Sequence, residues 1–264
     1  MIWGIVPAAG KAHRMQPLGF SKELLPVGTR TVAGREQPLA VSEYLLERMA
    51  RAGVSRILFV INASKTDILE YFGAGFAEIP LGYLLQPHAA GLCDAIFRAL
   101  PFIPKHADVL MGLPDTIWLP TNGFQLLPAG QFSLLTFPVS EPEWFDAVIA
   151  DPRGQVRAIE VKATAPGSQH VWGAMRLHRE HLEALHALWV TRQRRDELIG
   201  TVIDAYVRRG GKVQAVASNG TYVDVGTPVG FRRAAGLCGR PRKAPTASVG
   251  KRPKRGVYRP DQSQ

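Results

Sequence analysis

Ile2-Trp3-Gly4-Ile5-Val6-Pro7-Ala8-Ala9-Gly10-Lys11-Ala12-His13-Arg14-Met15-Gln16-Pro17 decides how the chain is read. Ile2–Val6 is an apolar, β-rich run, the pattern of a buried strand. It gives way at once to small residues, Pro7–Gly10, and then to cations. Small residues let backbone N–H groups close on an anion, and a turn of such groups forms a phosphate-binding nest. Arg14, and then Lys22 in Ser21-Lys22-Glu23-Leu24-Leu25-Pro26-Val27, would add fixed positive charge beside that loop. The loop is neither a P-loop, which needs G-x-x-x-x-G-K-[ST], nor a dinucleotide fingerprint, which needs G-x-G-x-x-G. Alone, it reads equally well as a strand-to-helix turn with two solvated cations.

Working outward, β-rich runs alternate with helical patterns over residues 1–238, the signature of an α/β sheet protein. Ser42–Ala52 carries Leu45, Leu46, Met49 and Ala50 on one helical face and stops at Gly53. Arg56–Ile61, Leu81–Leu85 and Val109–Met111 read as further strands, with helices at Lys65–Phe72 and Gly91–Leu100. The fourth strand would end at Pro114-Asp115. Ser133–Phe137, Ala147–Ala150, Val156–Val161 and Val171–Leu177 are strands with few helices between them. Helices at Arg179–Val190 and Glu197–Arg209, strands at Val213–Ala217 and Tyr222–Val225, and a helix at Val229–Ala235 complete the pattern. Thr29–Gln37, polar and rich in Gly and Arg, reads as a surface loop.

Composition narrows the classes. With 46% hydrophobic residues and a mean hydropathy of −0.03, the 264-residue chain can bury a sizeable core. No apolar run is long enough to span a bilayer, and the N-terminus lacks the basic flank of a secretory signal. Two cysteines, Cys93 and Cys238, make neither a disulfide framework nor a zinc knuckle; a reducing cytoplasm is expected. The formal charge of +10 invites a nucleic-acid reading, but its location argues otherwise. Gly239–Gln264 has eight Lys or Arg against one acid, Asp261, and so holds +7 of the +10. Residues 1–238 form an ordinary, slightly basic body. The tail, with four prolines and no apolar periodicity, is expected to be disordered and to contact anionic polymers weakly at most.

The opening stretch has the form A-A-G-x-x-x-R-[LM]-x-P and is followed by K-E-L-L-P-V, which resembles the N-terminal signature of the sugar nucleotidyltransferase family. Gln86-Pro87-His88-Ala89-Ala90-Gly91-Leu92-Cys93-Asp94-Ala95 is similar to the family's base-recognition segment, Q-P-x-x-x-G-L-x-x-A. Gly112-Leu113-Pro114-Asp115 sits where the family has a metal-binding Asp, and Tyr222-Val223-Asp224-Val225-Gly226-Thr227-Pro228 resembles its second, in D-V-G-T-P. Ile159-Glu160-Val161-Lys162 resembles its E-K segment, and Trp172-Gly173 its sugar-lining glycine. The six segments occur in order and span nearly all of residues 1–230.

The resemblance implies a Rossmann-like three-layer α/β/α sandwich with a mixed, mostly parallel sheet. It implies transfer of a nucleotidyl group from dTTP or UTP to a sugar 1-phosphate, glucose 1-phosphate by default, with release of pyrophosphate. Arg14 and Lys22 would stabilise phosphate charge, and Asp115 and Asp224 would hold Mg²⁺, which prefers one or two carboxylates plus phosphate oxygens. Ala8, Ala9, Gly10, Gln86 and Gly91 would bind the nucleotide; Gly173, Glu160 and Lys162 would bind the sugar phosphate, with Glu160 taking the sugar hydroxyls and Lys162 the phosphate from one face of a strand on which they alternate. Blander readings stand beside these: Asp115 as a turn cap, Glu160 and Lys162 as a solvated strand face, and the five tryptophans as packing. The family loop usually reads G-x-G-T-R, whereas Ala12 and His13 stand here, and Ala12 fits only where no left-handed backbone is required. The E-K pair is one residue looser than usual. Two rival functions remain, a CTP- or GTP-dependent transferase of the same fold and a non-catalytic nucleotide-sugar sensor; retention of both acids and both cations argues against the sensor.

Overall fold

The computed structural model describes residues 1–238 and the backbone of Arg242–Lys243. Its strands are β1 (Ile2–Pro7), β2 (Pro26–Val32), β3 (Arg35–Ala40), β4 (Arg56–Ile61), β5 (Gly75–Phe76), β6 (Ile79–Leu85), β7 (Asp108–Gly112), β8 (Thr116–Trp118), β9 (Ser133–Pro138), β10 (Asp146–Ala150), β11 (Val156–Val161), β12 (His170–His178), β13 (Gln214–Ala217), β14 (Tyr222–Asp224) and β15 (Arg242–Lys243). The α-helices are α1 (Val41–Arg51), α2 (Thr66–Phe72), α3 (Gly91–Arg98), α4 (Arg179–Thr191), α5 (Ile199–Arg208) and α6 (Pro228–Leu237). The main sheet runs β11-β10-β12-β7-β1-β4-β6-β5, and β9 joins β12 to β13. Its centre, β7-β1-β4-β6, is parallel; antiparallel pairing begins at β12.

Strand alternation produces the layers, because successive side chains leave a strand on opposite faces. Ile5, Leu58, Val60, Val109 and Met111 pack with residues of α3, α4 and α5 in one core. Their neighbours Val6, Ile57, Phe59 and Leu110 pack with residues of α1 and α2 in the other. The strands buried on both faces are therefore the continuous apolar runs of the sequence, and the sandwich expected from it is the fold observed.

Two sequence expectations are corrected, and a third falls largely outside the described residues. Thr29–Gln37 belongs to a hairpin, β2 and β3, closed by Ala33-Gly34 with both residues at positive φ (49° and 76°), the two-residue turn whose twist suits paired strands. It shows no apolar alternation because Arg30 faces inward, where it pairs with Glu43. The strand expected to end at Pro114-Asp115 ends at Gly112; Asp115 lies in the turn before β8, a strand too short to read from sequence. The disorder expected for the tail falls outside the described residues except at β15, which runs parallel to β2 with Arg242 opposite Arg30. No helix of the described residues is long and apolar enough to cross a membrane, and both cysteines are unpaired.

Candidate active site

The strand order reverses between β1 and β7, the place where open α/β sheets bind ligands beyond their carboxyl ends. A cleft of about 430 Å³ lies there. Its floor holds four charged side chains from four separated segments. Lys22 Nζ donates to Asp115 Oδ2 at 2.5 Å, and Arg14 Nη1 to Asp224 Oδ2 at 3.2 Å. The two acids are 109 positions apart and are joined by a short ribbon. β8 begins just after Asp115, β14 ends on Asp224, and the two strands pair antiparallel with Asp224 opposite Thr116. Gly226 completes the junction: a Cβ there would lie 2.8 Å from Asp115 Oδ2 and 2.9 Å from Asp224 Oδ1. Both carboxylates thus border one point that only glycine leaves free.

The electrostatics follow from that crowding. Burial alone would raise the Asp115 carboxyl, but the Lys22 ammonium beside it holds it below the usual carboxylate range. Burial also works against the charge on Lys22, and Asp115 with Glu23 outweighs it, so Lys22 is raised. Asp224 is raised, first by burial and then by the Asp115 charge. A pair of buried acids, one unwillingly ionised, suits a hard divalent cation that brings phosphate oxygens with it. Among the described residues no group of three or more His, Cys, Asp or Glu gathers, so phosphate or water would complete any such shell.

Lys22 is itself held through both its chain neighbours by Lys65, just before α2, and Asp67, in the first turn of α2. Asp67 accepts from the Ser21 N–H at 2.6 Å and from its hydroxyl at 2.7 Å. Lys65 Nζ donates to both Glu23 oxygens at 2.8 and 2.7 Å. Glu23 and Lys65 are 1% and 5% exposed. Burial raises Glu23 and lowers Lys65, each offset by its contact with the other. Sequence reading missed this clamp, because Lys65 and Asp67, which hold the signature residues Ser21 and Glu23, carry no motif of their own.

On one side of the floor lie Ala9, Gly10, Gln86 and Gly91. Asn62 Nδ2 donates to the Ala9 carbonyl at 2.7 Å; Ala8 is buried one residue behind, its N–H bonded to Val60 O at 2.8 Å. Gly91 opens α3 at φ 83°, and a Cβ there would strike the Glu197 backbone, so glycine is required. Gln86 Nε2 donates to Gly91 O at 3.0 Å and to Asp94 Oδ2 at 2.8 Å. Both partners are acceptors, which fixes the amide's orientation. Ala12 departs from expectation: it sits at φ 56°, left-handed, a conformation costing an L-residue about 1–2 kcal/mol.

The other side is lined by Trp144, Phe145, Asp146, Lys162 and Trp172. Trp144, read as packing, is 66% exposed at the cleft, whereas Trp172 is buried in the core as expected and also borders the cleft. Lys162 follows β11 at φ 46°, where the chain turns out of the strand. Glu160 does not share its surroundings: it is not at the cleft, and its Oε2 accepts from Gly167 N at 2.7 Å. The strand alternation that was expected to bring Glu160 and Lys162 to one face fails because Lys162 is no longer in the strand. Gly173 lies against the ring of Tyr222, which lines the cleft; a Cβ would come within 2.6 Å of it.

A nucleotidyl transferase family model matches residues 3–237. The chain belongs to that family. A protein from Bacillus subtilis (strain 168), assigned as a UTP–glucose-1-phosphate uridylyltransferase, is 25% identical over 194 residues, 65% of this chain and 61% of the relative. The chain thus spans about three fifths of that relative's length. The UTP–glucose-1-phosphate uridylyltransferase AglF of Haloferax volcanii is 23% identical over 231 residues, 85% of this chain and 91% of the relative. Among solved structures, a Bacillus anthracis protein assigned as a glucose-1-phosphate thymidylyltransferase and solved with sucrose superposes with a TM-score of 0.76 at 22% identity, over 90% of this chain and 95% of that one. The family fold is therefore retained well below the identity at which substrates can be carried across.

Of the residues expected from sequence, the cleft of this nucleotidyl transferase gathers Arg14, Lys22, Asp115, Asp224, Ala9, Gly10, Gln86, Gly91 and Lys162. Ala8 and Gly173 stand directly behind it, and Glu160 is turned away. Asp146 and Glu197 are acidic cleft residues that motif reading passed over; Asp146 follows an aromatic pair and resembles nothing in particular.

Proposed function

We propose that this nucleotidyl transferase joins UTP or dTTP to a sugar 1-phosphate, with glucose 1-phosphate as the default acceptor, releasing pyrophosphate. The observation that carries the reading is the convergence of Arg14, Lys22, Asp115 and Asp224 on one floor between two unlike ends. A phosphate oxygen of the acceptor attacks the α-phosphorus, a new phosphoanhydride bond forms, and the bond to pyrophosphate breaks. The attacking oxygen arrives ionised, so no general base is needed; positioning and charge neutralisation carry the rate. Lys22 and Arg14, which line the cleft, would neutralise the negative charge that grows on the α-phosphate and the leaving pyrophosphate. Asp115 and Asp224 would hold Mg²⁺, which when bound supplies further neutralisation. Gly10 offers its open backbone to the triphosphate, and Lys162 would take the acceptor phosphate.

Base choice rests on Gln86. With Nε2 committed to Gly91 and Asp94, the polar atom left to the side chain is Oε1, an acceptor. It suits the N3–H of uracil or thymine and opposes the lone pair of cytosine N3, which disfavours a CTP-dependent reading. Pyrophosphate release from five nucleoside triphosphates, each with several sugar 1-phosphates, tests this. UTP and dTTP should both react and CTP should be poorer by about tenfold or more; a preference for CTP, ATP or GTP overturns it.

A further inference from the structure

Asp146 opens β10 directly opposite Val161 of β11, while Ala147 pairs with Glu160. Cross-strand partners share a face and successive residues alternate. Asp146 and Val161 therefore point one way and Glu160 the other. The Asp146 carboxylate reaches the cleft, beside Lys162 and the rings of Trp144 and Trp172. Room is kept for it by Gly200, in the first turn of α5, where a Cβ would collide with Asp146 Oδ2. Any side chain at this position would displace the carboxylate or the helix, so glycine makes the space that Asp146 occupies. The hydrogen bond made to it is a single long one, from Trp172 Nε1 to Oδ2 at 3.2 Å.

We propose that Asp146, and not Glu160, reads the ring hydroxyls of the acceptor. This rests on the sugar 1-phosphate reading above and adds to it the atom that selects the sugar. An ionised carboxylate only accepts hydrogen bonds and has about four lone-pair sites. Vicinal hydroxyls supply matching donors, and their ring carbons present an apolar face to Trp144 and Trp172 while Lys162 takes the phosphate. Burial raises the Asp146 carboxyl, with Trp172 and Lys162 only partly offsetting it, as expected of an oxygen pair short of donors.

The test measures glucose 1-phosphate binding by tryptophan fluorescence alongside steady-state turnover, in the wild type, Asp146→Asn and Glu160→Gln. Asp146→Asn conserves size, and its melting curve checks folding. A hydrogen bond to a charged partner accounts for about 10- to 100-fold in affinity. Asp146→Asn should weaken glucose 1-phosphate binding and raise its KM by that factor, with the nucleotide KM unchanged. Glu160→Gln should stay within about twofold of the wild type, because the residue lies off the cleft and the amide oxygen can still accept from Gly167 N–H. Deoxyglucose 1-phosphates lacking the hydroxyl that meets Asp146 should lose as much in the wild type and nothing further in the variant. Unchanged binding in Asp146→Asn, or the larger loss in Glu160→Gln, overturns the assignment. Wild-type protein that binds no sugar 1-phosphate at all would instead overturn the functional reading beneath it.

Discussion

Lys22→Met separates the electrostatic account from simple packing, because it keeps the stem of the side chain and deletes its charge. In the wild type the ammonium is 2.5 Å from Asp115 Oδ2, with side chains 16% and 10% exposed. Removing one partner of a buried ion pair costs about 3–5 kcal/mol. For a protein of this size that is a fall in Tm of roughly 6–20 °C, at about 2–4 °C per kcal/mol. Catalysis should lose a charge contact made mainly in the transition state, about 10²–10³ in kcat with little change in nucleotide KM. The pH dependence has a definite sign. Lys22 holds Asp115 below its ordinary value, a stabilisation present above the unfolded carboxyl's pKa and lost as pH falls through the folded one. Asp115 raises Lys22, a stabilisation present below the ordinary lysine value and lost as pH rises through the folded one. The gap in Tm between wild type and variant should therefore be wide near neutrality and close toward acid, where the orphaned Asp115 takes a proton. Thermal unfolding from about pH 4 to 9, with pyrophosphate release on the same samples, is the assay. A kcat within threefold of wild type, or a loss carried by nucleotide KM, refutes the reasoning.

Three further outcomes follow from the same geometry. Asp224→Asn should raise the Tm of metal-free protein at neutral pH, since burial and Asp115 disfavour its charge, while abolishing Mg²⁺-dependent turnover; a lowered Tm contradicts this. Lys65→Met, breaking the clamp behind Lys22, should lower kcat with nucleotide KM preserved and Lys65→Arg restoring part of it, and equal changes in both parameters would show a general loss of structure instead. A chain ending at Cys238 should keep its kcat/KM, because the described part of the tail pairs with β2 rather than entering the cleft; a severe loss at unchanged stability would place the tail in the reaction.

Much of this was legible in the sequence, for identifiable reasons. Arg56–Ile61 and Val156–Val161 form strands at the residues expected, because β-rich runs bounded by turns carry their own limits. The cations and acids of the floor were legible as segments in a familiar order. Their meeting was expected from the resemblance, but the device that joins the two acids was not, since it is the three-residue strand Thr116–Trp118, too short to show a period. The β2–β3 hairpin was hidden by Arg30, a charge buried against Glu43 where an apolar residue would have marked the inner face. Glu160 was misplaced because alternation was carried one residue too far: Lys162 at φ 46° has left the strand. Asp146 became visible only through the register that sets it opposite Val161.

The central claim, nucleotidyl transfer on the floor shared by Arg14, Lys22, Asp115 and Asp224, is tested most directly by ³¹P NMR of the protein with UTP, glucose 1-phosphate and Mg²⁺. A pyrophosphate diester and inorganic pyrophosphate should grow in equal amounts as both substrates disappear, and Asp115→Asn should silence both signals. Pyrophosphate or nucleoside monophosphate appearing without the diester, or product formation that survives Asp115→Asn, would contradict it.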